Sequence, residues 1–132
     1  MQDNEITERI IGCAFEVRKQ LGNGFLEKVC ENALAHELRL IGLDVLQQHP
    51  LKVEYKGVIV GDYVADLLVG GVILVELKAA KAIDDAHVAQ CLNYLQATGL
   101  RICLLLNFGP RGVEVRRLVS PAYQAQSELP VN

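Results

Sequence analysis

An α/β domain of order ααβββαββ, a mixed sheet flanked by helices, is what the apolar patterning of this chain predicts. Three observations carry that reading. Two stretches with helical spacing open the chain, three strand-like runs broken by glycine-containing turns follow, and a third helical stretch separates them from two more strands. A helix lying between strands is the crossover that joins parallel neighbours, so parallel and antiparallel pairs are expected in one sheet. The 132 residues suffice for one domain, and a half-apolar composition without Trp suits aliphatic strands sandwiched by helices. That domain is expected over residues 1–119, with the polar, proline-containing stretch 120–132 as a loose tail.

Each element has its own signal. Ile6, Ile10, Cys13, Ala14, Val17 and Leu21 recur at helical spacing, with Asp3 or Asn4 available as N-cap and Gly22 as the stop. Gly22-Asn23-Gly24 breaks the chain, and a second helix is expected from about Phe25 to Ile41, burying Leu26, Val29, Ala33, Leu34, Leu38 and Ile41. Strands are expected at about 44–55, 58–69 and 72–79. Pro50 marks the first as an edge or bulged strand, since it cannot donate to a ladder, and Lys56-Gly57 makes the turn. Asp84 or Asp85 caps a third helix reaching Thr98. His87, Gln90 or Cys91, and Tyr94 form a polar stripe along it, and Val88, Leu92 and Leu95 its buried side. Arg101 to Phe108 is an almost continuous apolar run of central-strand type, whereas Val113 to Val119 alternates like a half-exposed strand.

Bulk properties exclude some classes of function. No run of eighteen uncharged apolar residues occurs and the first ten residues are polar, so a cytoplasmic protein without a membrane partner is expected. Cys13, Cys30, Cys91 and Cys103 show no CxxC spacing and lie in apolar contexts, which favours buried thiols over zinc or disulfides. A net charge of −3 shows no basic stripe; Arg101, Arg111, Arg116 and Arg117 give only a mild positive bias to the last third.

The chemistry concentrates in Asp66–Lys78, DLLVGGVILVELK. Apolar runs on either side of Gly70-Gly71 read as a buried hairpin whose ends carry Asp66, Glu76 and Lys78. Charges in such a run cost several kcal/mol unless paired, hydrogen-bonded or bound to a cation. Glu76 and Lys78 share a strand face. A two-residue turn would send Asp66 to the other face, whereas a three-residue loop or glycine bulge sets it opposite Glu76, and we expect the latter. Two carboxylates and a lysine on adjacent strands make a Mg²⁺ site (or Mn²⁺) with an ammonium group beside it. Asp62 is four residues from Asp66, but Gly61-Asp62 reads as turn or bulge chemistry.

Asp66 followed by Glu76-Leu77-Lys78 resembles the metal-binding signature of the PD-(D/E)xK nuclease superfamily. Gly24-Phe25-Leu26-Glu27 resembles the motif of its GxxExxY group, with Cys30 at the motif's tyrosine position, and Ala65 stands at the superfamily's nominal proline. Gln90 to Tyr94 is similar to the QxxxY element of RecB-like members, in the right order after ExK. The resemblance covers about residues 5–119. It implies a restriction-endonuclease-like core and a Mg²⁺-dependent nuclease that acts on nucleic acid, DNA by preference, and leaves 5′-phosphate and 3′-hydroxyl ends. By the same resemblance Asp66, Glu76, Glu27 and the Leu77 carbonyl would hold the metal. Lys78 would act beside these acids in catalysis, and Gln90 and Tyr94 would align the substrate backbone. Lys81 and His87 are further candidates for phosphate contact, and a homodimer would let so small a nuclease surround a duplex. Two other readings stay open: a fold that binds without cutting, and a buried ion network between the carboxylates and Lys78 that takes neither metal nor phosphate.

Overall fold

The structure, a computed structural model, describes residues 2–123. Its elements run in the expected order: α1 (Asp3–Leu21), α2 (Glu27–Leu40), β1 (Val45–Tyr55), β2 (Val58–Val69), β3 (Ile73–Lys78), α3 (Asp85–Thr98), β4 (Ile102–Gly109) and β5 (Gly112–Val119). One five-stranded sheet has the order β1-β2-β3-β4-β5. Only the β3–β4 pair is parallel, because only α3 intervenes as a crossover.

Strand pleating divides the core in two. Leu67, Val69, Ile73, Val75, Leu77, Leu104 and Leu106 point toward α1 and α2, where they meet Ile10, Ala14, Leu34 and Leu38. Leu68, Leu74, Cys103 and Leu105 point the other way, onto Cys91, Tyr94 and Leu95 of α3. All four cysteines are buried and free.

Three expectations shift. Helix α1 starts from Gln2, whose side chain makes no cap, so Asp3 falls inside the first turn with Glu5. There a carboxylate meets the positive end of the helix dipole. Helix α2 presents Cys30, Glu31, Leu34, Ala35 and Leu38 to the core, leaving Leu26, Val29 and Ile41 exposed. Leu34 and Leu38 are buried as expected and Ala33 packs on the core, but the face is rotated at its start, where Cys30 and the carboxylate Glu31 are buried in place of Leu26 and Val29. Cys91 and Tyr94 are core residues, so the polar stripe on α3 is reduced to His87, Gln90 and the tip of Tyr94.

Turns set the register. Lys56 (φ 49°) and Gly57 (φ 82°) form the two-residue link between β1 and β2. Val69 pairs with Ile73, which leaves Gly70, Gly71 and Val72 as a three-residue loop, with both glycines at positive φ. Pro50 lies on β1, an edge strand, and a bulge interrupts the β1–β2 ladder after Val53. From Asp66 back to Val58, β2 has no strand partner on its β3 side among the described residues, so that half of the β1–β2 ribbon overhangs the sheet. Of the expected tail, Ser120 is buried and donates its N–H to the Arg101 carbonyl at 2.8 Å, and residues 124–132 lie outside the described residues.

Candidate active site

The β2–β3 ladder ends at the Leu67–Val75 pair, and the next residues in register are Asp66 and Glu76. There the side chains take over the backbone donors. The Asp66 N–H donates to Glu76 Oε1 at 2.8 Å, and the Leu77 N–H donates to Asp66 Oδ2 at 2.8 Å. The three-residue glycine loop therefore does what the sequence required of it, setting the two acids opposite each other across the hairpin. This reciprocal anchoring occupies one oxygen of each carboxylate and leaves one of each. Among the described residues no hydrogen bond reaches Glu76 Oε2, and Asp66 Oδ1 has only the Gln48 amide at 3.5 Å.

The electrostatics are those of two carboxylates short of positive charge. Glu76 is 4% exposed. Burial, then the facing charge of Asp66, pushes its pKa up to about 8, against the pull of the Asp66 N–H and Lys78. Asp66 is also raised, chiefly by burial, against the Leu77 N–H. The Lys78 ammonium makes no ion pair with either acid among the described residues; it donates instead to Gln90 Oε1 at 3.2 Å. Gln90 in turn donates to Tyr94 Oη at 3.0 Å. Tyr94 is raised to about 12 by burial and then by Glu76 and Asp66, so its hydroxyl keeps its proton. A row Lys78–Gln90–Tyr94 thus runs from the acids along α3.

Glu27 opens α2 and accepts from the Ala79 N–H at 3.2 Å, just past Lys78. It is brought to the same end of β3 as the acid pair without joining it: among the described residues no three His, Cys, Asp or Glu side chains cluster as a metal site. The Leu77 side chain is buried on the α1–α2 side. Lys81 is exposed and lines a second cleft with Glu27. His87 is held in a capping box: its N–H donates to Asp84 Oδ1 at 2.9 Å, and its Nδ1 accepts from the Asp84 N–H at 3.2 Å. Asp62 is exposed within β2, beside the bulge and not in a turn, and pairs with Lys52 across the ladder at 2.8 Å.

Three side chains that sequence reasoning missed support this end of the sheet. Glu31, 3% exposed, accepts from Lys28 at 2.9 Å, Gln47 at 2.7 Å and Gln48 at 2.6 Å. Gln48, at φ 55°, lies across from Asp66 in the β1–β2 register and spans Glu31 and Asp66. Asn107, fully buried, grips the segment after Lys78 by accepting from the Ala80 N–H at 2.8 Å and donating to the Ala80 carbonyl at 3.0 Å. A lone Asn in an otherwise apolar central strand was the one visible signal for it; the φ of Gln48 left none.

Two hard oxygen donors fixed by backbone, each with an oxygen to spare, fit a divalent cation of the Mg²⁺ type, which binds through one or two carboxylates and keeps several waters. The uncompensated pair is the observation that favours such an ion. A family model described as the PD-(D/E)XK nuclease superfamily matches residues 4–118, nearly the whole described chain.

The chain belongs to the PD-(D/E)XK nuclease superfamily.

Solved structures agree in fold. The superfamily domain superposes on an alkaline exonuclease (LHK-Exo) from Laribacter hongkongensis with a TM-score of 0.55 at 15% identity, over 76% of this chain and 59% of that one. The same exonuclease in complex with dAMP matches at 0.55 and 15%, over 76% and 58%. A protein described as SSO0001 matches at 0.54 and 15%, over 76% and 51%. The chain thus spans between about half and three-fifths of these structures' length, and at such identity the likeness is one of fold. No curated protein sequence matches it. No helix among the described residues is long and apolar enough to cross a membrane.

Proposed function

We propose that this domain is a Mg²⁺-dependent phosphodiesterase that cuts DNA, that Mn²⁺ can substitute, and that it stands within the GxxExxY group despite Cys30. The observation that carries the reading is the reciprocally anchored Asp66–Glu76 pair with Lys78 two residues further along β3, tied to Gln90 rather than to the acids. Membership of the nuclease superfamily supports the reaction class, although a fold alone does not establish one.

Asp66 and Glu76, through their spare oxygens, and the Leu77 carbonyl would hold the cation, with Glu27 close enough to add a contact through water. When bound, the cation lowers the pKa of a coordinated water and neutralises charge on the phosphoryl oxygens. Lys78, held at its tip by Gln90, presents an ammonium to the attacking water and to the charge that grows on phosphate. Gln90 and Tyr94 align the strand, and Lys81 and the free Nε2 of His87 would touch phosphates further along. Products with 5′-phosphate and 3′-hydroxyl ends follow if water attacks phosphorus in line with O3′, so that the P–O3′ bond breaks and O3′ leaves as the hydroxyl.

One observation favours a second reading, a nuclease fold that binds without cutting: Glu27 rests on the Ala79 N–H, apart from the acid pair. Calorimetric titration with Mg²⁺ or Mn²⁺, wild type against Asp66→Ala, tests the metal. Cleavage of single-stranded, duplex and branched DNA and of RNA, wild type against Lys78→Ala, tests the chemistry. Metal binding abolished by Asp66→Ala, with no cleavage of any substrate, would replace the enzyme by the binding module.

A further inference from the structure

Under the overhanging β1–β2 ribbon, along the outer side of α3, lies a cleft of about 980 Å³. Tyr63, Gln90, Asn93 and Gln96 supply its polar and aromatic lining, and Ala86, Ala89 and Ala97 its small-residue floor. Among the described residues the charged groups in that lining are Lys52, whose ammonium is already paired with Asp62 at 2.8 Å, and the carboxylate of Glu54. A groove that tracks a phosphate backbone needs unpaired Lys or Arg. This one offers the carboxamides of Asn93 and Gln96, which carry donors and acceptors side by side, and an aromatic ring, while Gln90 beside them is engaged by Lys78 and Tyr94. Those are the groups that read the edge and the face of a nucleobase.

Tyr63 is built to be such a platform. Its residue is 51% exposed, yet its ring is held in place. It packs against the buried Tyr94 ring, with centroids 5.8 Å apart and planes at 48°. Its other support is the bare backbone of Gly61, where an added Cβ would come 3.2 Å from Tyr63 Cε2. Glycine at 61 therefore leaves the space the ring occupies. The cleft also communicates with the acid pair, because Gln90, which lines it, holds Lys78, and Tyr94 supports both Gln90 and Tyr63.

We infer that this cleft is a binding site for one unpaired nucleobase, stacked on Tyr63 and read by Asn93 and Gln96, next to the nucleotide whose phosphate reaches Lys78. The inference rests on the proposed nuclease reading and narrows it: the substrate is single-stranded, or frayed, beside the cut. A duplex would have to surrender a base to enter.

The test compares a fluorescein-labelled twelve-nucleotide oligothymidylate with a wholly abasic strand of the same length, by anisotropy with Ca²⁺ in place of Mg²⁺. Tyr63→Ala should weaken oligothymidylate binding by between about fivefold and a hundredfold, the worth of one base–aromatic stack, and leave the abasic strand unchanged. Tyr63→Phe should bind like wild type, and Gly61→Ala, whose Cβ asks the ring to shift by a few tenths of an ångström, should weaken binding less than Tyr63→Ala. Equal affinity of wild type and Tyr63→Ala for oligothymidylate, or an equal loss on both strands, overturns the base site while the nuclease reading stands. If the wild type binds neither strand, nucleic-acid recognition itself fails and the base site with it.

Discussion

Glu76 makes the metal-free protein depend on pH in a direction opposite to that of an ordinary paired carboxylate. Its pKa in the folded state is about 8 against an ordinary 4.5, raised by burial and by Asp66. Between those values the folded chain keeps a proton that the unfolded chain has released, so folding stability falls as pH rises. It should be greatest below about pH 4.5, as far as this group is concerned, and level off above about pH 8. At about 1.4 kcal/mol per pH unit, the fall across that window is on the order of 5 kcal/mol. Asp66, also raised, adds to it with the same sign, and Lys78 opposes it. Glu76→Gln keeps an oxygen for the Asp66 N–H and carries no charge. Its stability should therefore change far less over the same range and exceed that of wild type at pH 8 by several kcal/mol. Urea unfolding followed by circular dichroism at pH 5, 6, 7 and 8, with a chelator present, measures both. Millimolar Mg²⁺ should then stabilise wild type more as pH rises, because the cation competes with the proton, and should barely affect Glu76→Gln. Parallel pH profiles for the two proteins, or equal stabilisation of both by Mg²⁺, would refute the account of the site.

Other substitutions separate chemistry from architecture. Lys78→Ala should lower cleavage by roughly a hundredfold or more while the calorimetric affinity for Mg²⁺ is retained, since Lys78 bonds Gln90 and neither acid. Gln48→Ala strips the buried Glu31 of its 2.6 Å donor and should cost about 1–3 kcal/mol in urea unfolding. Gln48→Gly should recover about 1 kcal/mol of that, because φ 55° no longer strains a Cβ. Asp84→Ala removes the acceptor of the α3 capping box and should cost about 1 kcal/mol.

How much of this was legible in the sequence depends on whether a side chain's surroundings are local. Strand and helix order followed from period and from punctuation at Gly22, Lys56-Gly57 and Gly99, all of which act within a few residues. The acid pair was legible for the same reason: a glycine-rich loop of known length sets which residues face across a hairpin. The face of α2 was legible only in its second half, where Leu34 and Leu38 are buried, because Leu26 and Val29 lie at the exposed start of the helix while Glu31 is buried by contacts from β1, sixteen residues on. Tyr94 was assigned to a polar stripe, and its ring proved to be core while its hydroxyl still reaches Gln90. Long-range satisfaction of a polar atom, as for Glu31, Gln48 and Asn107, leaves no periodicity to read.

The same environment that makes Glu76 costly is what suits it to its place. A carboxylate at the surface would meet a divalent cation already well served by water, and little would be gained by replacing that water. Glu76 is almost wholly buried, and the charge of Asp66, the residue facing it across the hairpin, acts on it. On the proposed reading a divalent cation would relieve both the desolvation and the repulsion, so the folded state would have the most to gain from binding at the pH where it is least stable alone. Backbone N–H groups keep the two acids from escaping that conflict by rotating apart, since each would abandon a hydrogen bond of 2.8 Å. Substitutions that ease the conflict, Glu76→Gln foremost, should therefore stabilise the fold and weaken metal binding together. A variant at Glu76 that gained stability at pH 8 and kept its affinity for Mg²⁺ would break that link.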